Sequence, residues 1–169
     1  MSSPRIVPYS SEQYDACRSL WVELTEHHRL IYGAPGIGGD DPGGDWDRHL
    51  ASPLRLGTWV AVVDGVVVGL VGLQRTDRDG VEVEPMVVGA THRGAGVGGA
   101  LLGRVLDECH RIGESSISVR PVARNTAALA AFKAMGFTTV GMVELFMDLD
   151  RRQGGWIEGV TIDGVDLDR

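Results

Sequence analysis

Two acidic side chains and a glycine-rich turn lie close together near the middle of the chain. Glu82 and Glu84 belong to a run rich in valine, and because they are two positions apart, a regular strand directs both to one side. A glycine-rich turn follows at residues 93–99, and an apolar helical pattern begins at Ala100. Helix N-termini offer unpaired N–H groups, and glycines let a phosphate approach them. The pattern predicts a phosphate site beside two candidate general bases.

Three phosphate-binding patterns compare with this turn. A P-loop needs Lys and then Ser or Thr after its last glycine, but Ala and Leu follow here, so a P-loop is excluded. The dinucleotide pattern G-x-G-x-x-G is present at Gly94, Gly96 and Gly99. That pattern expects an acidic residue about 20 positions on, at the end of the next strand, whereas the strand candidate at residues 116–120 ends in Arg. An NAD(P)-binding protein is therefore the weaker alternative, and R/Q-x-x-G-x-G/A fits residues 93–98.

The chain resembles the GNAT N-acetyltransferases, in which this last pattern holds the pyrophosphate of acetyl-CoA. Residues 118–129 resemble the strand–Asn–helix segment of that family, and residues 132–137 resemble its closing Y-x-x-x-G-F motif. The resemblance covers about residues 57–149, while the N-terminal third matches only in layout. It implies a mixed α/β fold with a central, mostly antiparallel sheet, a V-shaped splay between two strands, and flanking helices.

The resemblance also implies acetyl-CoA as the cosubstrate. No metal is expected, because no third and fourth ligand stands at a recognisable spacing from His27 and His28. Pro85 has no N–H, and a bulge is implied there that opens a slot between two strands. The implied catalytic groups are Glu82 or Glu84 as the base and the backbone N–H of Met86 as the oxyanion donor. The implied cofactor contacts are Met86, Val87, Val88, Arg93, Gly94, Ala95, Gly96, Val97, Gly98, Gly99, Asn125, Ala128 and Phe132.

The chain departs from the family at Phe132, which stands where a Tyr protonates the leaving thiolate. Phe has no proton to donate. Tyr32 is the one tyrosine near the expected substrate wall. Either another donor or water protonates the thiolate, or catalysis is weak. A CoA-binding or sensor module with little transferase activity is the main alternative function. Asn125 has a second interpretation as the N-cap of the helix that follows it.

The segment of residues 33–44 is rich in glycine and proline and interrupts the N-terminal helical pattern. A loop of this length in a compact domain is usually functional or disordered. It contains Asp40 and Asp41, which we predict to border the acceptor site together with Tyr32; the alternative is a mobile surface loop. Since the loop and the whole chain are acidic, we expect a small cationic primary amine, attacked directly in a ternary complex.

The elements that must position these residues follow from periodicity. Apolar runs at residues 58–63, 66–73 and 81–88 are joined by short turns, so they predict an antiparallel meander. The Asp64–Gly65 pair favours a type I′ turn between the first two runs. After the predicted helix at residues 98–111, a strand at residues 117–120 must pair parallel with the third run.

The C-terminal part of the chain has three further predicted features. A helix is expected at residues 126–135, followed by two core strands at residues 137–141 and 144–149. The tail at residues 151–169 alternates like a strand and predicts an extra hairpin or a dimer arm. We expect one domain over residues 1–150, with the tail as an extension and a homodimer as one option.

Composition limits the function classes. The chain has 169 residues, 43% of them hydrophobic and 23% charged, as in an ordinary globular domain. A net charge of −7 argues against nucleic acid as a partner. No membrane-length apolar run or signal-peptide pattern is present, so we expect a cytoplasmic protein with no membrane partner. Cys17 and Cys109 are too few for a disulfide framework or a metal cluster.

Overall fold

The computed structural model describes residues 3–77, 80–147, 157–162 and 164–168. Five strands form one sheet in the order β1-β2-β3-β4-β5. Their bounds are Arg5–Pro8, Arg55–Val63, Val66–Arg75, Val81–Val88 and Ser118–Val119. Neighbours pair antiparallel except β4 and β5, which are parallel. The predicted mixed, mostly antiparallel sheet is confirmed.

Four α-helices lie within the described ranges. They are α1 Tyr14–Tyr32, α2 Gly44–Ala51, α3 Val97–Ile112 and α4 Thr126–Ala134. A short 3-10 turn precedes α1, and there the Ser10 N–H donates to the Gln13 side chain at 2.9 Å, as expected for a capping box. None of the helices in this described part is long and apolar enough to cross a membrane.

The central sheet is covered on both faces, and each cover has its own apolar cluster. On one face α3 packs against β2, β3 and β4, with Val71, Leu73, Val83, Leu101 and Val105 among the buried side chains. On the other face α1 and α2 pack against the same strands, with Cys17, Leu20, Trp21, Trp46 and Leu70 among the buried side chains. The buried side chains recur about every four residues in the helices and every two in the strands, as the spacing of apolar residues in the sequence indicates.

The hairpin between β2 and β3 turns at the predicted residues. Asp64 has φ +48° and Gly65 has φ +82°, the left-handed conformation that a type I′ turn requires at both positions. The twist of this turn matches that of the two strands. The hairpin therefore fixes β3 beside β2 and leaves the other edge of β3 for β4.

The prediction of two core strands after α4 is wrong for the described residues. Residues 137–147 form no strand, and residues 148 and 149 lie outside the described part of the chain. Alternating apolar residues show that a segment suits a strand, but a strand also needs a partner edge for its backbone groups. Strands β6 Glu158–Ile162 and β7 Val165–Asp168 pair antiparallel as a separate hairpin, which is the hairpin alternative predicted for the tail.

Candidate acetyl-transfer site

β4 bulges at Glu84 and Pro85. The register between β3 and β4 shifts there, so that these two residues together oppose Gly72. A Cβ on Gly72 would lie 2.3 Å from the Glu84 carbonyl oxygen and 2.7 Å from Cε1 of His49. Only glycine therefore fits opposite the bulge. The bulge that the resemblance implied at Pro85 is present.

β4 and β5 separate immediately before this bulge. Their parallel pairing is limited to Glu82 with Ser118 and Val83 with Val119. From Glu84 onward, β4 has no strand partner on its β5 side within the described residues. The V-shaped splay is confirmed, and the C-terminal half of β4 forms one wall of the gap.

The β3–β4 ladder decides which backbone groups of this wall face the gap. The Gly89 N–H donates to the Val68 carbonyl at 2.9 Å. Hydrogen-bonded pairs alternate along antiparallel strands, so the N–H and C=O of Val87 face β3. The N–H and C=O of Met86 and Val88 therefore point away from β3, into the gap. Of the three residues expected to offer backbone groups here, Met86 and Val88 point theirs into the gap, where the Val88 carbonyl accepts from Arg93, and Val87 presents its groups to β3 instead.

The glycine-rich turn carries the chain from β4 into α3. Gly94 and Gly96 have φ +74° and +81°, a conformation that favours glycine. The first helical hydrogen bond runs from the Ala100 N–H to the Gly96 carbonyl, so the N–H groups of residues 97–99 precede the helical ladder. A Cβ on Gly94, Gly96 or Gly99 would have no other atom within 4 Å. The turn thus presents free N–H groups at an open, positively polarised helix end.

The start of α3 lies directly against the wall of the gap. A Cβ on Gly98 would lie 3.3 Å from Cε of Met86 and 3.9 Å from Cγ2 of Val88. The first turn of the helix and the outward-facing backbone of β4 are therefore neighbours. An extended ligand with a phosphate group fits this combination, because its chain adds to the strand edge while its phosphate meets the helix N-terminus. Ala95 is an exposed residue of the same turn.

Arg93 is directed back onto the protein. Its Nε donates to the Val88 carbonyl at 3.0 Å, and its Nη2 donates to the Glu23 carboxylate at 2.8 Å. Glu23 also accepts the Ala90 N–H at 2.9 Å. The guanidinium thus ties the end of β4 to α1, and Glu23 offsets its charge. The predicted contact with a phosphate would require Arg93 to leave these partners.

The opposite side of the gap begins with β5, and α4 follows β5 along the chain. The Asn125 side-chain oxygen accepts the Ala128 N–H at 3.0 Å, so Asn125 is the N-cap of α4. One helical turn beyond Ala128, the Phe132 ring meets Phe137 edge to face, with 5.6 Å between the ring centroids. The Phe132 side chain has no proton to donate.

The two candidate bases have different surroundings. The Glu82 side chain is 3% exposed, and its Oε1 accepts from Arg120 at 2.7 Å and from Gln74 at 2.9 Å. Glu84 instead borders an open cavity, where it still reaches solvent. Enclosure by the cavity walls and the neighbouring Glu82 carboxylate raise the pKa of Glu84, and Arg120 opposes that rise.

The cavity has a volume of about 400 Å³ and lies between the sheet, α1 and α2. Its lining residues are Trp21, Asp45, Arg48, His49, Ser52, Gln74 and Glu84. Arg48 forms an ion pair with Asp45, so these two charges offset each other. Burial lowers the pKa of His49 to about 4, which leaves the ring neutral at pH 7. Glu84 therefore sets the charge of the wall.

The acidic loop does not border this cavity. Asp41 accepts from Arg18 of α1 at 2.5 Å, and that guanidinium lowers the pKa of Asp41. Arg29 donates to two loop carbonyls, so the loop is held against α1. Asp40 is exposed, and the acidic wall residue from this part of the chain is Asp45 of α2.

Helix α1 spans the gap from one wall to the other. Glu23, near its middle, binds the residue that follows β4 through the Ala90 N–H. Tyr32, its last residue, lies against the Arg124 guanidinium, 4.7 Å from the ring centroid, one position before the cap of α4. Tyr32 therefore belongs to the β5–α4 side of the gap rather than to the cavity wall.

Sequence reasoning did not identify His49, Gln74 and Arg120 as members of the site. They come from α2, β3 and the end of β5, and only the fold brings them to Glu82 and Glu84. The segment of α2 that contains His49 matches no motif that would predict a binding site. Gln74 is recognised as a partner of Glu82 only when the register between β3 and β4 is known.

Comparisons with known proteins agree with this geometry. The model of the acetyltransferase (GNAT) family matches residues 17–137. N-acetylaspartate synthetase of Xenopus tropicalis is 38% identical over 87 residues, which are 51% of this chain and 32% of that protein. The chain thus spans about a third of the curated relative's length.

Solved structures share the fold. The structure of AAC(6')-Iy in complex with a bisubstrate analog, CoA-S-monomethyl-acetylneamine, matches with a TM-score of 0.63 and 19% identity, over 87% of this chain and 99% of that one. A GNAT acetyltransferase of Staphylococcus aureus Mu50 matches with a TM-score of 0.66 and 20% identity, over 88% and 94% of the two chains. The family match covers well over half of the chain and includes the bulge, the splay and the glycine-rich turn, so this protein belongs to the GNAT acetyltransferase family.

Proposed function

We propose that this protein is an acetyl-CoA-dependent N-acetyltransferase that transfers the acetyl group to a primary amine by direct attack in a ternary complex. The observation that carries the proposal is the open backbone of Met86 and the open N–H of Val88 beside the free N–H groups at the start of α3. A pyrophosphate suits the helix N-terminus, and a pantetheine arm suits the strand edge. One structural relative binds a bisubstrate analog of CoA, which supports a mechanism with both substrates bound together.

The β4 backbone would act on the thioester. The Met86 N–H faces the gap one residue beyond the bulge, where it is available to donate to the thioester oxygen. A hydrogen bond at that atom is worth more as negative charge develops during attack. Pro85 supports the same arrangement, because it has no N–H of its own to compete and it stands at the bulge that ends the β5 ladder.

Glu84 is the residue that we propose as general base. It borders both the bulge and the cavity from which an amine would approach. Its raised pKa brings it closer to the range in which a carboxylate removes a proton efficiently at neutral pH, directly or through one water. Glu82, engaged by Arg120 and Gln74, would act on Glu84 as a neighbouring charge and would hold the walls together.

Protonation of the leaving thiolate is assigned to Tyr32 or to solvent. Phe132 has no proton to give, whereas Tyr32 lies on the same side of the gap beside Arg124. A Tyr32→Phe variant separates these options. Loss of kcat with an unchanged KM for acetyl-CoA supports Tyr32, and an unchanged kcat supports solvent.

The acceptor that we propose is a small cationic amine. Glu84 sets the charge of the cavity wall because Asp45 and Arg48 offset each other, and a negative wall raises the local concentration of cations. An aminoglycoside is the acceptor named for the AAC(6')-Iy relatives. An amino acid is the competing acceptor, favoured by the name of the curated relatives. The charge argument does not extend to the acidic loop, because its aspartates are not among the residues that line the cavity.

A CoA-binding module with little transferase activity is the second candidate, and Phe132 is the observation that favours it. Thermal unfolding with acetyl-CoA, CoA and NADH comes first, because a ligand that binds the folded state raises the apparent stability. Turnover is then measured with a diamine, an aminoglycoside and L-aspartate. Stabilisation by NADH alone would contradict both candidates. Stabilisation by CoA without turnover of any amine would favour the binding module, and turnover confined to L-aspartate would contradict the cationic acceptor.

A further inference from the structure

The bulge at Glu84 and Pro85 lies where both neighbouring ladders are interrupted. The residue pairs between β3 and β4 break off beyond Val83 and resume at Met86. Within the described residues, the pairing of β4 with β5 also ends at Val83. The ladders therefore support these two residues less than the rest of the strand, and side-chain packing has to hold the bulge in place.

The imidazole ring of His49 packs against the bulge from the side of the cavity. A Cβ placed on Gly72 would lie 2.7 Å from Cε1 of His49. The same point lies 2.3 Å from the Glu84 carbonyl oxygen and 2.9 Å from Cδ of Pro85. The three atoms thus converge on the space that the missing side chain of Gly72 leaves open. Because that space is open, the edge of the ring reaches the backbone of the bulge.

Two contacts fix the orientation of this ring. Nε2 of His49 and Oγ1 of Thr58 share a hydrogen bond at 3.0 Å, which ties α2 to β2. One face of the ring stacks on Trp46, with 5.6 Å between the ring centroids and 22° between the planes. Trp46 is fully buried, and His49 is only 6% exposed. A ring held at one edge and on one face has little freedom to turn, so it offers the bulge a rigid support.

We propose that His49 is a positioning residue for acetyl transfer, which acts by holding the bulge in place. A fixed bulge in turn fixes the Met86 N–H and the Glu84 carboxylate. The inference rests on the proposed function, in which these two groups act on the thioester and on the amine. Since a displacement of about 1 Å can slow a reaction about a hundredfold, a loosened bulge should lower kcat more than it weakens binding.

Thr58→Val tests the role of the hydrogen bond, because it removes the hydroxyl group and keeps the shape of the side chain. We expect kcat to fall about tenfold or more, with the KM of the amine and the Kd of CoA within about threefold of wild type. Thr25→Val is the matched control. Thr25 is also 5% exposed, and its hydroxyl donates to the Pro42 carbonyl at 2.9 Å, outside the lining of the cavity. Equal kcat values in the two variants would overturn the proposal.

Replacement of His49 separates positioning from proton transfer. His49→Ala removes the ring and should lower kcat about a hundredfold. Gln can form the hydrogen bond to Thr58 again, but it takes up no proton. His49→Gln should therefore recover most of the activity that His49→Ala loses. A His49→Gln variant as inactive as Glu84→Gln would contradict a positioning role and would assign His49 to the chemistry itself.

Hydrogen exchange distinguishes a failure of this inference from a failure of the proposed function. The Val87 N–H faces β3 just beyond the bulge, so its exchange rate reports how firmly the bulge is held. This amide should exchange at least about threefold faster in Thr58→Val than in wild type or Thr25→Val. A wild type that turns over no amine would contradict the proposed function, and the exchange rates would still test the support of the bulge. An unchanged Val87 rate in both Thr58→Val and His49→Ala would overturn the inference, whatever the activity.

Discussion

Arg120 donates to the Glu82 carboxylate at 2.7 Å, across the last residues that β4 and β5 share before they separate. Because Gln74 donates to the same oxygen, Glu82 is occupied by its partners. Glu84, two residues along the strand, borders the cavity instead. Two carboxylates on one strand are thus distinguished by what surrounds them, and each prediction on catalysis follows from that difference.

Glu84→Gln should lower kcat by about a hundred- to ten-thousandfold, the range for loss of a general base. Glu82→Gln should keep kcat within about tenfold of wild type. It should also lower the free energy of unfolding by roughly 1–2 kcal/mol, because Arg120, although largely exposed, loses its charged partner. Steady-state kinetics and urea unfolding of both variants give the measurement. The reverse pattern, with Glu82→Gln inactive and Glu84→Gln active, would exchange the two assignments.

The acidic limb of the pH–rate profile should move in opposite directions in two variants. The Glu82 charge raises the pKa of Glu84 and the Arg120 charge lowers it. The base acts when ionised, so kcat/KM rises with pH through this pKa. Glu82→Gln should therefore shift the limb to lower pH, and Arg120→Met should shift it to higher pH. A limb that stays in place in both variants would rule out Glu84 as the titrating base.

Gly96→Ala should weaken CoA binding by roughly 1–3 kcal/mol, the range for losing charge-assisted hydrogen bonds at the turn. Gly96 has φ +81°, so a side chain there strains the turn that sets the first N–H groups of α3. Gly103→Ala is the matched control, because Gly103 lies within the same helix with open space around it and no positive φ. Isothermal titration with CoA should show normal binding for Gly103→Ala. Equal affinities in the two variants would mean that the turn has a structural role alone.

Folding stability should fall as the pH is lowered from 6.5 to about 4. Burial lowers the pKa of His49 from 6.5 to about 4, so in this window the unfolded chain binds a proton that the folded chain does not. The difference corresponds to roughly 3 kcal/mol, present in full above pH 6.5 and lost below pH 4. The free energy of unfolding, measured with urea at each pH across this range, should fall less steeply with decreasing pH for His49→Gln than for wild type. His110→Gln, at an exposed position of α3, should keep the wild-type slope.

The sequence by itself determined the family and most of the helices and strands. The meander, the Asp64–Gly65 turn and the helix after the glycine-rich turn follow from local patterns, since hydrophobic period and left-handed backbone positions depend on neighbours in the chain. The bulge at Pro85 was implied by the family resemblance, and proline suits it because proline has no backbone donor. The prediction of a phosphate at the turn also rests on contiguous residues.

The tertiary structure alone decided the rest. The register with β3 decides which backbone groups of β4 face the gap. Glu82 and Glu84 have different surroundings because Arg120, from just beyond β5, and Gln74, from β3, bind Glu82. The acidic loop is predicted to border the acceptor site, and only the fold shows that Arg18 of α1 binds its Asp41. Residues 137–147 have a strand pattern and yet form no strand, because a strand needs a partner edge and no local pattern specifies one. Contacts between residues distant in the chain are set by packing, which a single sequence does not display.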